Sequence, residues 1–180
     1  NTTGRCNIAI GRDSLSNNTT GNWNIALNIN SLKDNTTGSS NIAQGYYAMC
    51  SNTTGNYNTA FGHQALFANE TGTGNFAAGF YALYANTGNY NTAIGFQALN
   101  ANTSGYQNHG LGYEALKCNT TGFYNVGIGA YTIKNNTTGS CNIAIGQAAL
   151  CSNTTANDNV ALGNAVLCSN TTGNCNIGIG

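Results

Sequence analysis

The residues able to do chemistry in this chain are few and scattered. Seven cysteines occur, at Cys6, Cys50, Cys118, Cys141, Cys151, Cys168 and Cys175. None forms Cys-x-x-Cys or joins a histidine at zinc-ligand spacing, so a metal centre is not predicted. The ionisable residues, among them Arg5, Asp13, Lys33, His63, Glu70, His109, Glu114 and Asp158, form no carboxylate pair and no nucleophile–base–orienter set. Calcium-binding nonapeptide rolls place an aspartate in every repeat, and this chain has three in all. The sequence therefore predicts no enzyme, no cofactor and no metal. The chemistry that remains is covalent modification. Ten Asn-x-Ser/Thr acceptors begin at Asn1, Asn18, Asn35, Asn52, Asn69, Asn102, Asn119, Asn136, Asn153 and Asn170, each an N-glycosylation candidate in a eukaryotic secretory pathway. Glu70, Ser104 and Ala156 each alter the local phrase and spare the acceptor, and further acceptors overlap at Asn17 and Asn135. The competing reading is that these asparagines and threonines bond to one another up a stack and create acceptors as a by-product.

What must position these residues is a tandem repeat. Asn-Thr-Thr-Gly opens at Asn1 and returns, intact or degraded, at Asn18, Asn35, Asn52, Asn69, Asn86, Asn102, Asn119, Asn136, Asn153 and Asn170. The period is 17 residues, with one residue missing after Thr87. Residues 1–180 thus read as one array of eleven copies, expected to be a stretch of a longer repetitive fibre. Counted from the leading Asn, the frame is N-T-T-G-x-x-N-I-A-I-G-x-x-A-L-x-x.

Seventeen residues are too few for a helical hairpin repeat. Apolar residues at places eight and ten bracket a small one at nine, the period of a short strand. Glycine at places four and eleven suits corners that need positive φ or close backbone approach. The prediction is an all-β fold without helices: a β-solenoid, or β-roll, of about eleven coils stacked about 4.8 Å apart into a rod roughly 50 Å long.

Stacking turns each place into a column. The seventh is Asn in every copy: Asn7, Asn24, Asn41, Asn58, Asn75, Asn91, Asn108, Asn125, Asn142, Asn159 and Asn176. A column of that purity predicts an amide ladder. The Leu/Met/Ile column at place fifteen is candidate core, and the Ala/Gly column at nine marks a thin coil. The outward or inward sense of places eight and ten stays open. If nine faces in, residues such as Ile8, Ile10, Ile143 and Ile145 form an exposed apolar stripe larger than monomers usually carry. A partner chain would cover it, most simply in a cyclic trimer. Polar residues at Gln44, Thr59, Thr92 and His109 favour a partly wet or interfacial stripe.

Equivalent places in adjacent coils lie within the Cα range of a disulfide. That makes Cys151 with Cys168 a candidate bridge, with Cys141–Cys151 and Cys168–Cys175 as alternatives, and disulfides imply an oxidising setting. Lys117 and Lys134 share the sixteenth column, a mild repulsion expected to leave both tips in water. Only 6% of the chain is charged and the formal net charge is zero, so a nucleic-acid partner has no electrostatic footprint. No apolar run reaches the roughly 20 residues of a membrane span.

The phrases Asn7–Gly11 and Asn142–Gly146, with Ala and Leu following, resemble the head repeats of trimeric autotransporter adhesins. The fuller phrase at Asn52–Leu66 and Asn86–Leu99 also resembles repeats of tail-fibre-like surface proteins. The resemblance spans the whole chain. It implies a stiff β-roll rod at a cell or virion surface, used for attachment or display. The expected function is a structural extracellular fibre, self-associating as a homotrimer or a single-chain filament and bearing N-glycans. Alternatives are an adhesin head or stalk that binds a host surface or glycan, through aromatics such as Trp23, Tyr57, Tyr90 and Tyr124, and an ice-binding solenoid presenting its second-place threonines.

Overall fold

The computed structural model describes all residues, Asn1–Gly180, and contains no helix. Eleven three-residue strands, from β1 (Ile8–Ile10) to β11 (Ile177–Ile179), form one parallel sheet in strict sequence order. Each strand pairs with the same places of the next coil, as in Ile8 with Ile25, Ala9 with Ala26 and Ile10 with Leu27. The chain is a β-solenoid. Register survives the missing residue, because Phe76 still pairs with Thr92 and Ala77 with Ala93. The deletion is absorbed at the corner beside Thr87, not in the sheet.

The strands are only a small part of what holds the coils together. Of 117 backbone–backbone hydrogen bonds, 20 lie within strands, so most of the stacking comes from the corners. Leu32 donates its N–H to Ala48 O at 3.0 Å, and Tyr47 donates to Ile29 O at 3.1 Å. Three corner places carry left-handed backbone on L-residues, as in Tyr57 (φ 56), Gln64 (φ 53) and Leu66 (φ 52). Such a conformation costs about 1–2 kcal/mol per residue. It persists because each residue is tied by its N–H to a neighbouring coil: Tyr57 to Ser39 O, Gln64 to Tyr46 O and Leu66 to Ala82 O. The sequence marked corners only at its glycines, so these were unforeseen.

The core is narrow. The fifteenth-place column (Leu32, Met49, Leu66, Leu83, Leu99, Leu116, Ile133, Leu150) is fully buried. Two alanine columns, at places nine and fourteen, pack against it. With place nine inward, places eight and ten face outward.

Place eleven favours glycine, which fills it in ten of the eleven copies. Gly62 has φ 127, and a Cβ there would lie 2.7 Å from Gly79 O. Asn28 occupies the same place in its copy with φ 102. Gly62→Ala should therefore cost about 2–4 kcal/mol through strain and a backbone clash. Asn28→Gly should instead add up to about 1 kcal/mol by relieving the strain. Urea unfolding of both variants checks the pair, and equal shifts of the same sign would contradict it.

Candidate assembly surface and buried asparagine ladders

Two columns of asparagine run inside the coil. At place seven, each Oδ1 accepts the backbone N–H of its counterpart one coil on. Asn24 N–H meets Asn7 Oδ1 at 2.8 Å, and Asn125 N–H meets Asn108 Oδ1 at 3.0 Å. The Nδ2 group donates to the fourth-place carbonyl of the following coil, as from Asn24 to Gly38 O at 2.8 Å. Asn7, Asn24, Asn41, Asn58, Asn75, Asn91, Asn108, Asn125, Asn142, Asn159 and Asn176 are linked in this way without a break.

The leading asparagines make a second ladder, and here the glycosylation expectation is corrected. Asn18, Asn35, Asn52, Asn69, Asn102, Asn119, Asn136 and Asn153 are buried, and so is Asn86. Asn35 Nδ2 donates to Asn18 Oδ1 at 2.8 Å and to Gly38 O at 2.9 Å. A glycan is attached through that same nitrogen. It would replace one of the two N–H donors and so break one of these bonds, and it has no room among the buried side chains around it. Only the ends differ: Asn1 is exposed and Asn170 half-buried. The overlapping acceptors Asn17 and Asn135 are exposed. At the shortened copy the two ladders meet, with Asn75 Nδ2 to Asn69 Oδ1 at 3.4 Å and Asn91 Nδ2 to Asn86 Oδ1 at 3.1 Å.

The cysteine expectation is also corrected. All seven thiols are free. Cys151 and Cys168 are stacked neighbours, but Cys151 Sγ points to the carbonyl of Cys168 at 3.6 Å. Cys141 and Cys175 are exposed and have Asp158 between them in the sixth-place column. Cys50 is buried, and that burial, with Asp34 nearby, pushes its thiol up to about 11. It is therefore unreactive at neutral pH.

The charge expectation fails at one place. Lys117 and Lys134 do not both end in water, because Glu114 bridges them, Oε1 to Lys117 at 2.7 Å and Oε2 to Lys134 at 2.8 Å. The hydrogen bond from Lys117, then that from Lys134, holds the Glu114 carboxyl below the usual carboxylate range. The same bond holds Lys134 above the ordinary lysine value. Glu114 therefore stabilises the fold above its unfolded pKa and loses that contribution as pH falls through its lowered folded value. Lys134 does so below its unfolded pKa, losing it as pH rises through its raised folded value. Glu114→Gln should cost about 1–2 kcal/mol at pH 7, and the gap to the parent should close in acid. Melting both proteins across pH 2–8 checks this, and a pH-independent gap would refute it. The sequence signal for this bridge was available: Glu114 and Lys117 are three residues apart, and Lys134 lies one period beyond Lys117.

The outer face of the sheet is the largest functional candidate. Ile8, Ile10, Phe61, Ile94, Ile128, Ile143, Ile145, Ile177 and Ile179 are all exposed on it. It forms a strip about 50 Å long and roughly 10 Å wide, from the coil spacing and the distance between alternate residues. That is already at the upper end of what monomers expose. The aromatics of place six, Trp23 (63% exposed), Tyr57 (70%) and Tyr90 (58%), extend it along one side. Place twelve carries an aromatic pile that sequence reading missed, running Tyr46, His63, Phe80, Phe96, Tyr113 at centroid spacings of 5.0–5.4 Å. Its rings cover one another's faces and show mainly their edges.

No group of His, Cys, Asp or Glu is placed to hold a metal ion. No helix is long and apolar enough to cross a membrane. Comparison with protein-family models, curated proteins and solved structures gives no match.

Proposed function

We propose that this chain is a non-enzymatic structural rod, part of an extracellular fibre or appendage, that self-associates through the outer face of its sheet. One observation carries the reading: an apolar strip, interrupted only at Gln44, Thr59, Thr92 and His109, along a rod whose charge is only 6% of its residues. Water-facing apolar side chains at places eight and ten of most coils have no use in the isolated chain, while their burial against a second copy supplies roughly 25 cal/mol per Å². With its aromatic flank, the strip approaches the roughly 800 Å² per partner of a specific interface. The interior ladders give the rod stiffness, and repetition gives it length.

The extracellular setting at a cell or virion surface rests on the likeness to adhesin-head and tail-fibre repeats, since the cysteines lend it no support. In a eukaryotic secretory pathway, internal N-glycans are confined to Asn17 and Asn135. A cyclic trimer with the three strips turned inward is the arrangement that covers the face most economically. The ice-binding alternative is weakened because second-place hydroxyls are engaged, as in Thr36 Oγ1 donating to Thr53 O at 3.1 Å. Sedimentation velocity of the chain across a concentration series tests the proposal. A discrete oligomer supports it, and a monomer persisting at hundreds of micromolar rejects it.

A further inference from the structure

We infer that the cleft lined by Tyr81, Tyr84, Gln97 and Asn100 binds one pyranose ring of a neutral saccharide. The cleft is open, has a volume of about 290 Å³, and is the one pocket of the fold. That is room for roughly ten waters at about 30 Å³ each, the scale of a single sugar ring. It lies on places thirteen and sixteen, away from the outer face of the sheet, so it does not depend on the assembly proposed above.

The cleft exists because an aromatic column stops. Place sixteen reads Phe67, Tyr84, Asn100, Lys117 in successive coils. Phe67 and Tyr84 stack with centroids 5.2 Å apart and planes at 6°. The next coil offers Asn100, so the second face of Tyr84 has no ring against it. Tyr81 meets Tyr84 edge-on at 5.1 Å and 76°, which fixes the ring in place before any ligand arrives. Asn100 Nδ2 is turned away to donate to Tyr81 O at 3.1 Å, leaving Oδ1 free. Gln97 sits one coil above Tyr81 in the thirteenth column, and its amide makes no hydrogen bond within the protein.

A flat, immobilised π-face beside unengaged amides matches the two sides of a pyranose. The axial C–H groups of a sugar carry partial positive charge and pack on the electron-rich ring face. The hydroxyl rim needs groups that both donate and accept, which side-chain amides do. A few placed polar groups around an apolar surface is the usual make-up of small-ligand sites. No ionisable acid or base lines the cleft apart from the tyrosine hydroxyls. Lys117, next in the column, is already tied to Glu114 at 2.7 Å, so nothing selects an acidic sugar.

The test is saturation-transfer NMR on the 180-residue chain with methyl glycosides of glucose, galactose, mannose and N-acetylglucosamine, and with adenosine as a flat aromatic control. The expected result is transfer to the axial-face protons of at least one glycoside. Asn100→Phe continues the aromatic column into the cleft while keeping both tyrosines, and should weaken that binding at least tenfold. Gln97→Ala should weaken it with the fold undisturbed, and decides the matter if the phenylalanine variant fails to fold. Absence of transfer to every glycoside, transfer to adenosine alone, or unchanged binding in a folded variant overturns the inference.

Discussion

Asn58→Ala should destabilise the rod by about 2–4 kcal/mol and split its unfolding into two steps. Asn58 Oδ1 accepts the backbone N–H of Asn75 at 2.9 Å and its side-chain amide at 3.2 Å. Its Nδ2 donates to Gly72 O at 2.7 Å. Alanine leaves the buried Asn75 N–H without a partner, at about 1–3 kcal/mol, takes one of two donors from Gly72 O, which keeps Asn69 Nδ2 at 3.0 Å, and opens a void. In a one-dimensional stack each coil touches only its neighbours, so a weak interface in mid-rod uncouples the halves on either side. Asn58→Asp keeps the shape but loses the donor to Gly72, and should be about as damaging at pH 7. Circular dichroism melts decide it. A loss below about 1 kcal/mol with one unchanged transition would mean that the column fills space without carrying load.

Ile128→Lys combined with Ile145→Lys should weaken self-association at least a hundredfold while leaving each coil folded. Both side chains are exposed on the isolated chain, 39% and 42%, where substitutions usually shift stability by no more than about 0.5 kcal/mol. In an assembled face the same ammonium groups would be stripped of water without partners, at a cost of several kcal/mol. The control is Thr121→Lys with Thr138→Lys, adding the same charge at exposed sites off the strip. Equal loss of assembly in both double variants would point to net charge, and loss in neither would end the sheet-face proposal.

The fold was legible in the sequence because seventeen-residue periodicity is itself a physical statement: identical places must occupy identical environments in a stack. The pure seventh column and the fifteenth-place Leu column follow from it. The leading Asn was not legible, because a turn at the surface and a ladder in the interior both select asparagine. What separates them is the position of the fourth-place carbonyl, which accepts from Asn35 at Gly38 and turns that side chain inward. The left-handed corners at Tyr57, Gln64 and Leu66 run against local propensity and are imposed by bonds to neighbouring coils. The Tyr81–Tyr84 cleft escaped notice because it is made by an absence, the ring missing at Asn100, which no motif records.

The ladders also bear on how this molecule ages. With 33 asparagines, the chain would be expected to deamidate readily, by attack of the following backbone nitrogen on the side-chain carbonyl carbon. In the inner columns that nitrogen is already committed in nearly every coil, Glu70 N–H after Asn69 being the exception before the last coil. Thr36 N–H, after Asn35, is held by Thr53 O at 2.9 Å, and Ile25 N–H, after Asn24, by Asn41 O at 2.8 Å. The amide carbons are clamped from both sides as well, so succinimide closure would require a coil to open. Isoaspartate should therefore accumulate first at exposed asparagines outside the two ladders during alkaline storage, with the inner asparagines lasting as long as the stack does.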